Sequence, residues 1–194
     1  MGILDLDKVR SQQQGRDARL AQKAQLLPYT QQCNRELWAY AADALEEFAQ
    51  AATALSTKPR ELDVVYHRGF RNRLKTRQVS AYAFGRLGEE TFSYKLPAEL
   101  ERNLDRFIGR ATTEFPTGYV DAQGNAYMEC SCNYGIYEKK LAWVQVERDS
   151  AVEFLFKALC LPPAVDPKDG KDEIRAKFEQ AKQTIKEHLE KMLV

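Results

Sequence analysis

From Leu62 to Tyr94 every Phe and Tyr falls on an even number, as do Leu62 and Val64: Tyr66, Phe70, Tyr82, Phe84, Phe92 and Tyr94 share one parity. Successive side chains of an extended chain point to opposite faces, so this spacing reads as a set of half-buried strands. The constraint is strong, because a slip of one residue would carry the whole apolar set to the solvent side. Within the stretch, Arg86-Leu87-Gly88 reads as a three-residue hairpin loop closed by a glycine able to take positive φ. Such a turn sets Tyr82 opposite Phe92, a cross-strand aromatic pair contributing about 0.2 to 1 kcal/mol.

The odd positions carry a different chemistry. Arg71, Arg73, Lys75 and Arg77 recur at every second residue and are followed by the small Val79, Ala81 and Ala83. In extended chain the four cations line one face at intervals of roughly 6.6 Å. Like charges in a row are costly to bury without anions, so this face is expected to meet water, acidic side chains or a polyanion. Between Tyr66 and Arg86 there are six Lys or Arg and no Asp or Glu. A single parity carried across the segment puts rings on one side and cations on the other. The candidate anion-binding residues are therefore Arg68, Arg71, Arg73, Lys75 and Arg77, with Tyr66, His67 and Phe70 as candidates to stack on a base. The plainer reading of those rings is core packing beneath a helix.

The flanking segments read as helices. Ile3 to Leu27 has a thin apolar stripe interrupted by Gln12, Gln13, Gln14 and Gly15, too polar to bury much by itself. Pro28 interrupts it and opens a stronger helix, in which Leu37, Ala41, Ala44, Phe48, Ala51 and Leu55 recur at spacings of three and four until Pro59. The pair is expected to form a helical hairpin or a kinked arm. Another helix is expected from Pro97 to Pro116, with Leu100, Leu104, Phe107, Ile108, Ala111 and Phe115 on the face that covers the sheet. Gly118 to Asp121 and Ala126 to Tyr137 flank the turn cluster Asp121 to Asn125, Leu141 to Glu147 makes a further strand, and Gly135 is the expected place for a bulge. Ser150-Ala151-Val152-Glu153 fits a capping box opening a short apolar helix that Leu161-Pro162-Pro163 closes. After a linker from Pro163 to Gly170, a last helix places Ile174, Phe178, Ala181, Ile185 and Met192 on one stripe, with His188 among them and given no role.

The expected fold is α+β: an antiparallel sheet of about five to six strands covered on one face by helices, with a helical hairpin or arm at the amino end and an amphipathic helix at the carboxyl end. The divisions fall at 1–58, 59–161 and 168–194 within one folding unit. A net charge of +1 excludes a generally basic nucleic-acid coat, so any electrostatic recognition has to be local. Cys33, Cys130 and Cys132 lie on apolar faces and read as free thiols, and without a Cys-x-x-Cys pair no metal or other cofactor is expected. The chain has no apolar run of bilayer length and no signal-peptide core, which points to a cytoplasmic protein that does not engage a membrane.

Phosphate-loop, dinucleotide-fold, metalloprotease and nucleophile-elbow motifs are all missing, and the chain has only His67 and His188 for histidine chemistry. The leading expectation is a non-enzymatic interaction or scaffold module whose terminal helices bind a protein partner or a second copy. The alternative is a nucleic-acid or polyanion binder using the basic strand 71–77, and a third reading is an enzyme whose active site is not visible in sequence.

Overall fold

The computed structural model describes residues 6–68, 73–88, 92–94, 107–108, 110–111, 116–134, 138–162 and 170–194. Within them, the side chains of 6–9, 67–68, 73–74, 93, 107–108, 110–111, 130–134 and 138–142 lie outside the description. Phe70, Arg71, Gly135 and the linker 163–169 also fall outside it.

Of the helical hairpin or arm expected at the amino end, the structure has no hairpin but one long helix, α1, that runs from Leu6 to Ala54 with Pro28 inside it. At 49 residues it is about 74 Å long. Proline removes one backbone donor and crowds the carbonyl four residues earlier. Here both Pro28 and Ala24 are exposed, so water can take the hydrogen bond that the helix loses. The helix changes character near this point. Residues 10–25 are exposed throughout, whereas from Leu26 onward a row of Thr30, Cys33, Leu37 and Ala41 is buried. A left-handed Ser56 ends α1, with Thr57 N–H bonded to Ala52 O and Ser56 N–H to Thr53 O.

Among the described residues eight strands follow in chain order: β1 (Arg60–Arg68), β2 (Arg73–Arg86), β3 (Phe92–Ser93), β4 (Phe107–Ile108), β5 (Arg110–Ala111), β6 (Thr117–Asp121), β7 (Ala126–Tyr134) and β8 (Glu138–Val146). The open sheet expected from sequence is closed. The strands β1, β2, β6, β7 and β8 pair antiparallel in succession, and β8 returns to pair with β1. In an antiparallel succession of five strands the fifth runs the same way as the first, so the closing pair is parallel: Val64 with Trp143 and Val65 with Val144. Closure removes the exposed edges that an open sheet would present.

Two further expectations fail here. Beyond Ala81, β2 pairs with β6 and sets Tyr82 against Val120, while Phe92 pairs with Ala111 of β5, so the hairpin at Arg86-Leu87-Gly88 is not formed. From Ala81 to Arg86 it is β6 that supplies the antiparallel neighbour of β2 that the hairpin would have supplied. The helix expected from Pro97 to Pro116 contains strand at Phe107–Ile108, paired with β7, and at Arg110–Ala111. Residues 97–106, 109 and 112–115 of that span lie outside the described ones. A short apolar run satisfies helical and extended templates alike, and the edge of β7 supplies hydrogen bonds that periodicity cannot foresee.

Closing the sheet gives it an inside and an outside, each with its own core. The inner one holds Leu62, Val64, Ala81, Tyr119, Tyr127 and Trp143. Ala83 stands opposite Tyr119, a small residue beside a large one where interior space is limited. The outer one joins Val65, Phe84, Val120, Met128 and Val144 to three helices: the second half of α1, α2 (Arg148–Ala158) and α3 (Lys171–Met192). Phe154 of α2 meets Phe84 and Phe92 edge-on at 5.8 and 5.2 Å. The capping box expected at Ser150 is not used. The helix starts three residues earlier than that box requires, Glu147 at the N-cap makes no side-chain cap bond, and Ser150 is buried inside the first turn.

The helix α3 runs parallel to α1: Lys171 lies over the Tyr29 ring, Lys182 over Tyr40, and Leu193 shares a groove with Ala51. Its expected stripe is buried at Ile174, Phe178, Ala181 and Ile185, with Leu189 in the place foreseen for the half-buried Met192. His188, on the same helix, has a task after all: Nε2 lies 2.9 Å from the Phe84 carbonyl, next to the bulge between Ala83 and Gly85. A carbonyl only accepts, so the proton sits on Nε2.

Candidate functional site

The register of the β1–β2 hairpin decides where the candidate residues stand. Partners in this pair have numbers summing to an odd total, as in Arg60 with Ala81, Val64 with Arg77, Tyr66 with Lys75 and Arg68 with Arg73. Directly paired residues share a face. The even positions of β1 therefore share a face with the odd positions of β2, and the expectation of rings on one side and cations on the other is overturned. Four residues, 69–72, separate the strands, and an even number of loop residues reverses the parity relation that a three-residue loop would have kept.

Arg77 thus lies on the face that leads into the barrel, beside aromatic groups. Its guanidinium sits 5.9 Å from the centroid of the half-buried Tyr66 ring, and Nη2 donates to Gln145 Oε1 at 3.2 Å. Tyr66 and Gln145 are neutral, Arg77 also bonds to the Tyr127 phenol, and its side chain is exposed. Lys75 is exposed as well. Among the candidate residues the structure thus brings Tyr66, Lys75 and Arg77 together. Arg68, His67 and Arg73 are placed by backbone register only, and Phe70 and Arg71 lie outside the described residues.

Gln145 continues a hydrogen-bonded chain that sequence reasoning did not find. Its Nε2 donates to Asn125 Oδ1 at 3.2 Å, and Asn125 Nδ2 donates to both oxygens of Asp121 at 3.2 and 3.0 Å. The Asp121 carboxylate also accepts from the Gln123 and Asn125 amides at 2.9 Å and from the Tyr127 hydroxyl at 2.6 Å. An aspartate that is only 4 % exposed is tolerable with this many donors. The turn cluster Asp121 to Asn125 was legible in sequence; its link to a tyrosine inside a barrel was not. The Tyr127 phenol is pushed well above its ordinary range, first by burial, then by its bond to Asp121 and the charge there, with Arg77 opposing in part.

A second cation closes over the interior rings. Arg60 lies 5.6 Å from both the Tyr119 and Trp143 centroids and donates from Nη1 to the Tyr119 hydroxyl at 2.8 Å. Tyr119 and Trp143 meet edge-on at 4.9 Å. The barrel interior is therefore packed, with arginines at its rim.

Grooves formed by described residues outside the barrel include two beside α1. One, of about 320 Å³, runs between α1 and the β6–β7 turn and includes Glu46, Asn125, Gln145 and Arg148. The other, of about 380 Å³, lies between α1 and α3. Among the described residues no three His, Cys, Asp or Glu converge as a metal site would require, and no helix is long and apolar enough to cross a membrane. Cys33 is a buried free thiol and Cys160 an exposed one. Comparison with protein families, curated proteins and solved structures finds no match to the chain.

Proposed function

We propose that this protein is a non-enzymatic interaction module that docks through the first half of α1. The observation that supports it is the exposure of every residue from 10 to 25 in a helix whose later turns are packed. An isolated helix of about this length is marginal in water even with favourable residues, and this one contains Gly15 and three successive glutamines. Burial on another surface would supply the missing stabilisation. The two terminal helices have different tasks in this reading. The apolar stripe of α3 lies against α1 and braces it, while the arm ahead of Leu26 is left for a partner.

Light scattering on the full chain and on a chain beginning at Leu26 tests the reading. An assembly larger than a monomer that disappears with the arm is expected. A full chain that is monomeric like the shortened one would refute it.

A second reading, polyanion binding at the barrel rim, is favoured by one feature: Lys75 and Arg77 are exposed on a shared face with Tyr66, and Arg77 is held by neutral groups. Replacing Lys75 and Arg77 by Ser would then remove a salt-sensitive affinity for single-stranded nucleic acid while the fold persists. Binding unchanged by the double substitution would dismiss this site.

A further inference from the structure

The buried row of α1 can be followed past the point where its cover ends. Going toward the amino end from Ala41, steps of three and four residues give Leu37, Cys33, Thr30, Leu26, Lys23, Arg19 and Arg16. One helical face thus changes from packed to cationic at Lys23, close to where α3 begins beside Tyr29 with Lys171. Residues 10–25 hold four cations and one anion, a net of +3 inside a chain whose total is +1. Next to this row runs a narrow apolar seam of Leu20, Ala24 and Leu27, with Leu20 63 % and Leu27 43 % exposed. The arm therefore presents leucines flanked by cations.

The groove between α1 and α3 has the reciprocal character. Its walls are Ala44, Phe48, Leu189 and Leu193, and Glu47 and Glu190 stand on its rim. Both carboxylates act on one tyrosine there: the Tyr40 phenol is pushed up by burial and then by the charges of Glu47 and Glu190. Lys186 also borders the groove, but its ion pair with Glu190 is long at 3.9 Å. Exposed apolar groups continue past the groove's end at Leu55 and Val194. From Tyr40 to Ala51 the groove extends about 17 Å along α1, room for the roughly 10 Å between Leu20 and Leu27.

The arm cannot reach its own groove. The helix is continuous, so Leu20 lies about 30 Å along the axis from Tyr40, where the groove begins. We infer that the arm of one molecule lies in the α1–α3 groove of a second copy, with Leu20 and Leu27 against the apolar walls and Arg19 and Lys23 toward Glu47 and Glu190. This rests on the docking role proposed for the arm and names its receptor. Pairing of two arms with each other is disfavoured, because it brings together two segments of the same net charge.

The test uses the full chain with the photoreactive residue p-benzoylphenylalanine at position 20, in a mixture of isotopically heavy and light protein so that links between molecules are recognised by mass. Links from position 20 to residues 40–51 or 186–194 of a second copy are expected. In a second measurement, the pair Glu47→Arg and Glu190→Arg, both at exposed positions, weakens assembly by about tenfold or more, and adding Arg19→Glu and Lys23→Glu restores it. Links confined to residues 10–27 of the second copy, or assembly indifferent to both charge reversals, would overturn the groove assignment while the docking role stands. A full chain that stays monomeric would overturn both.

Discussion

Gly118 is a place where a single methyl group tests the whole outer core. It lies on β6 opposite Gly85, and a Cβ built there would come within 2.5 Å of Phe84 Cζ, 2.9 Å of Phe84 Cε1 and 3.0 Å of Phe154 Cδ1. Ordinary contact begins near 3.4 Å, so the Phe84 ring would have to move by almost an ångström. It has nowhere to go: Phe84 is 0 % and Phe154 1 % exposed, the two are held edge-on at 5.8 Å, and Phe154 is held in turn against Phe92 at 5.2 Å. Gly118→Ala is therefore expected to destabilise by about 2 kcal/mol, in the range for overpacked cores, with the burial of one extra methyl returning only about 0.8 kcal/mol. The assay is urea unfolding of the wild type, Gly118→Ala, Phe84→Leu and the double variant, read as midpoints at unchanged slope. Phe84→Leu opens room for the new methyl, so the alanine should cost at least about 1 kcal/mol less in that background. A neutral Gly118→Ala, or costs that add within about 0.5 kcal/mol, would show that Phe84 does not stand over Gly118 as described.

Tyr127→Phe removes one of the donors to the buried Asp121 carboxylate and should cost about 1.5 kcal/mol or more at pH 7 by chemical unfolding. Because the folded-state phenol of Tyr127 is raised above its unfolded value of 10.0, its contribution is complete below that pH and is lost as the pH climbs above it. Stability should thus decline above about pH 10, and less steeply in Tyr127→Phe; equal slopes would count against the buried phenol. Ser56 and Cys160 both hold left-handed backbone, at φ of 56° and 53°, where helices α1 and α2 end. Glycine at either exposed position should raise stability by about 0.5 to 1 kcal/mol, and a loss would mean that the side chain has an unrecognised partner. Arg60→Ala uncovers Tyr119 and Trp143 and should cost about 0.5 to 2 kcal/mol with a change in tryptophan emission, whereas unchanged emission would place Arg60 away from the ring.

Much of the local structure was legible in the sequence, because period and turn chemistry are properties of neighbours along the chain. The alternation Leu62, Val64 makes a strand wherever it pairs, Asp121 to Asn125 turns through the acceptor oxygens of Asp121, and Ile174, Phe178, Ala181 and Ile185 mark the buried stripe of α3. What the sequence could not decide were the relations between segments. The parity linking β1 to β2 depends on the length of the turn between them, and that length moved Arg77 from the side opposite Tyr66 to the same side. Whether Pro28 breaks a helix depends on whether water can reach the carbonyl it displaces, and whether five strands stay open depends on β8 finding β1. The chain by itself determined the longer periodic stretches, such as α3 and β1, and which of their faces are apolar, since those follow from side-chain spacing; it did not determine short apolar runs such as Phe107–Ile108, which became strand by pairing with β7. The tertiary structure alone decided which faces meet, because burial depends on pairings between residues far apart in sequence: it set α3 against the later turns of α1, while the polar composition of residues 10–25 had already marked the arm.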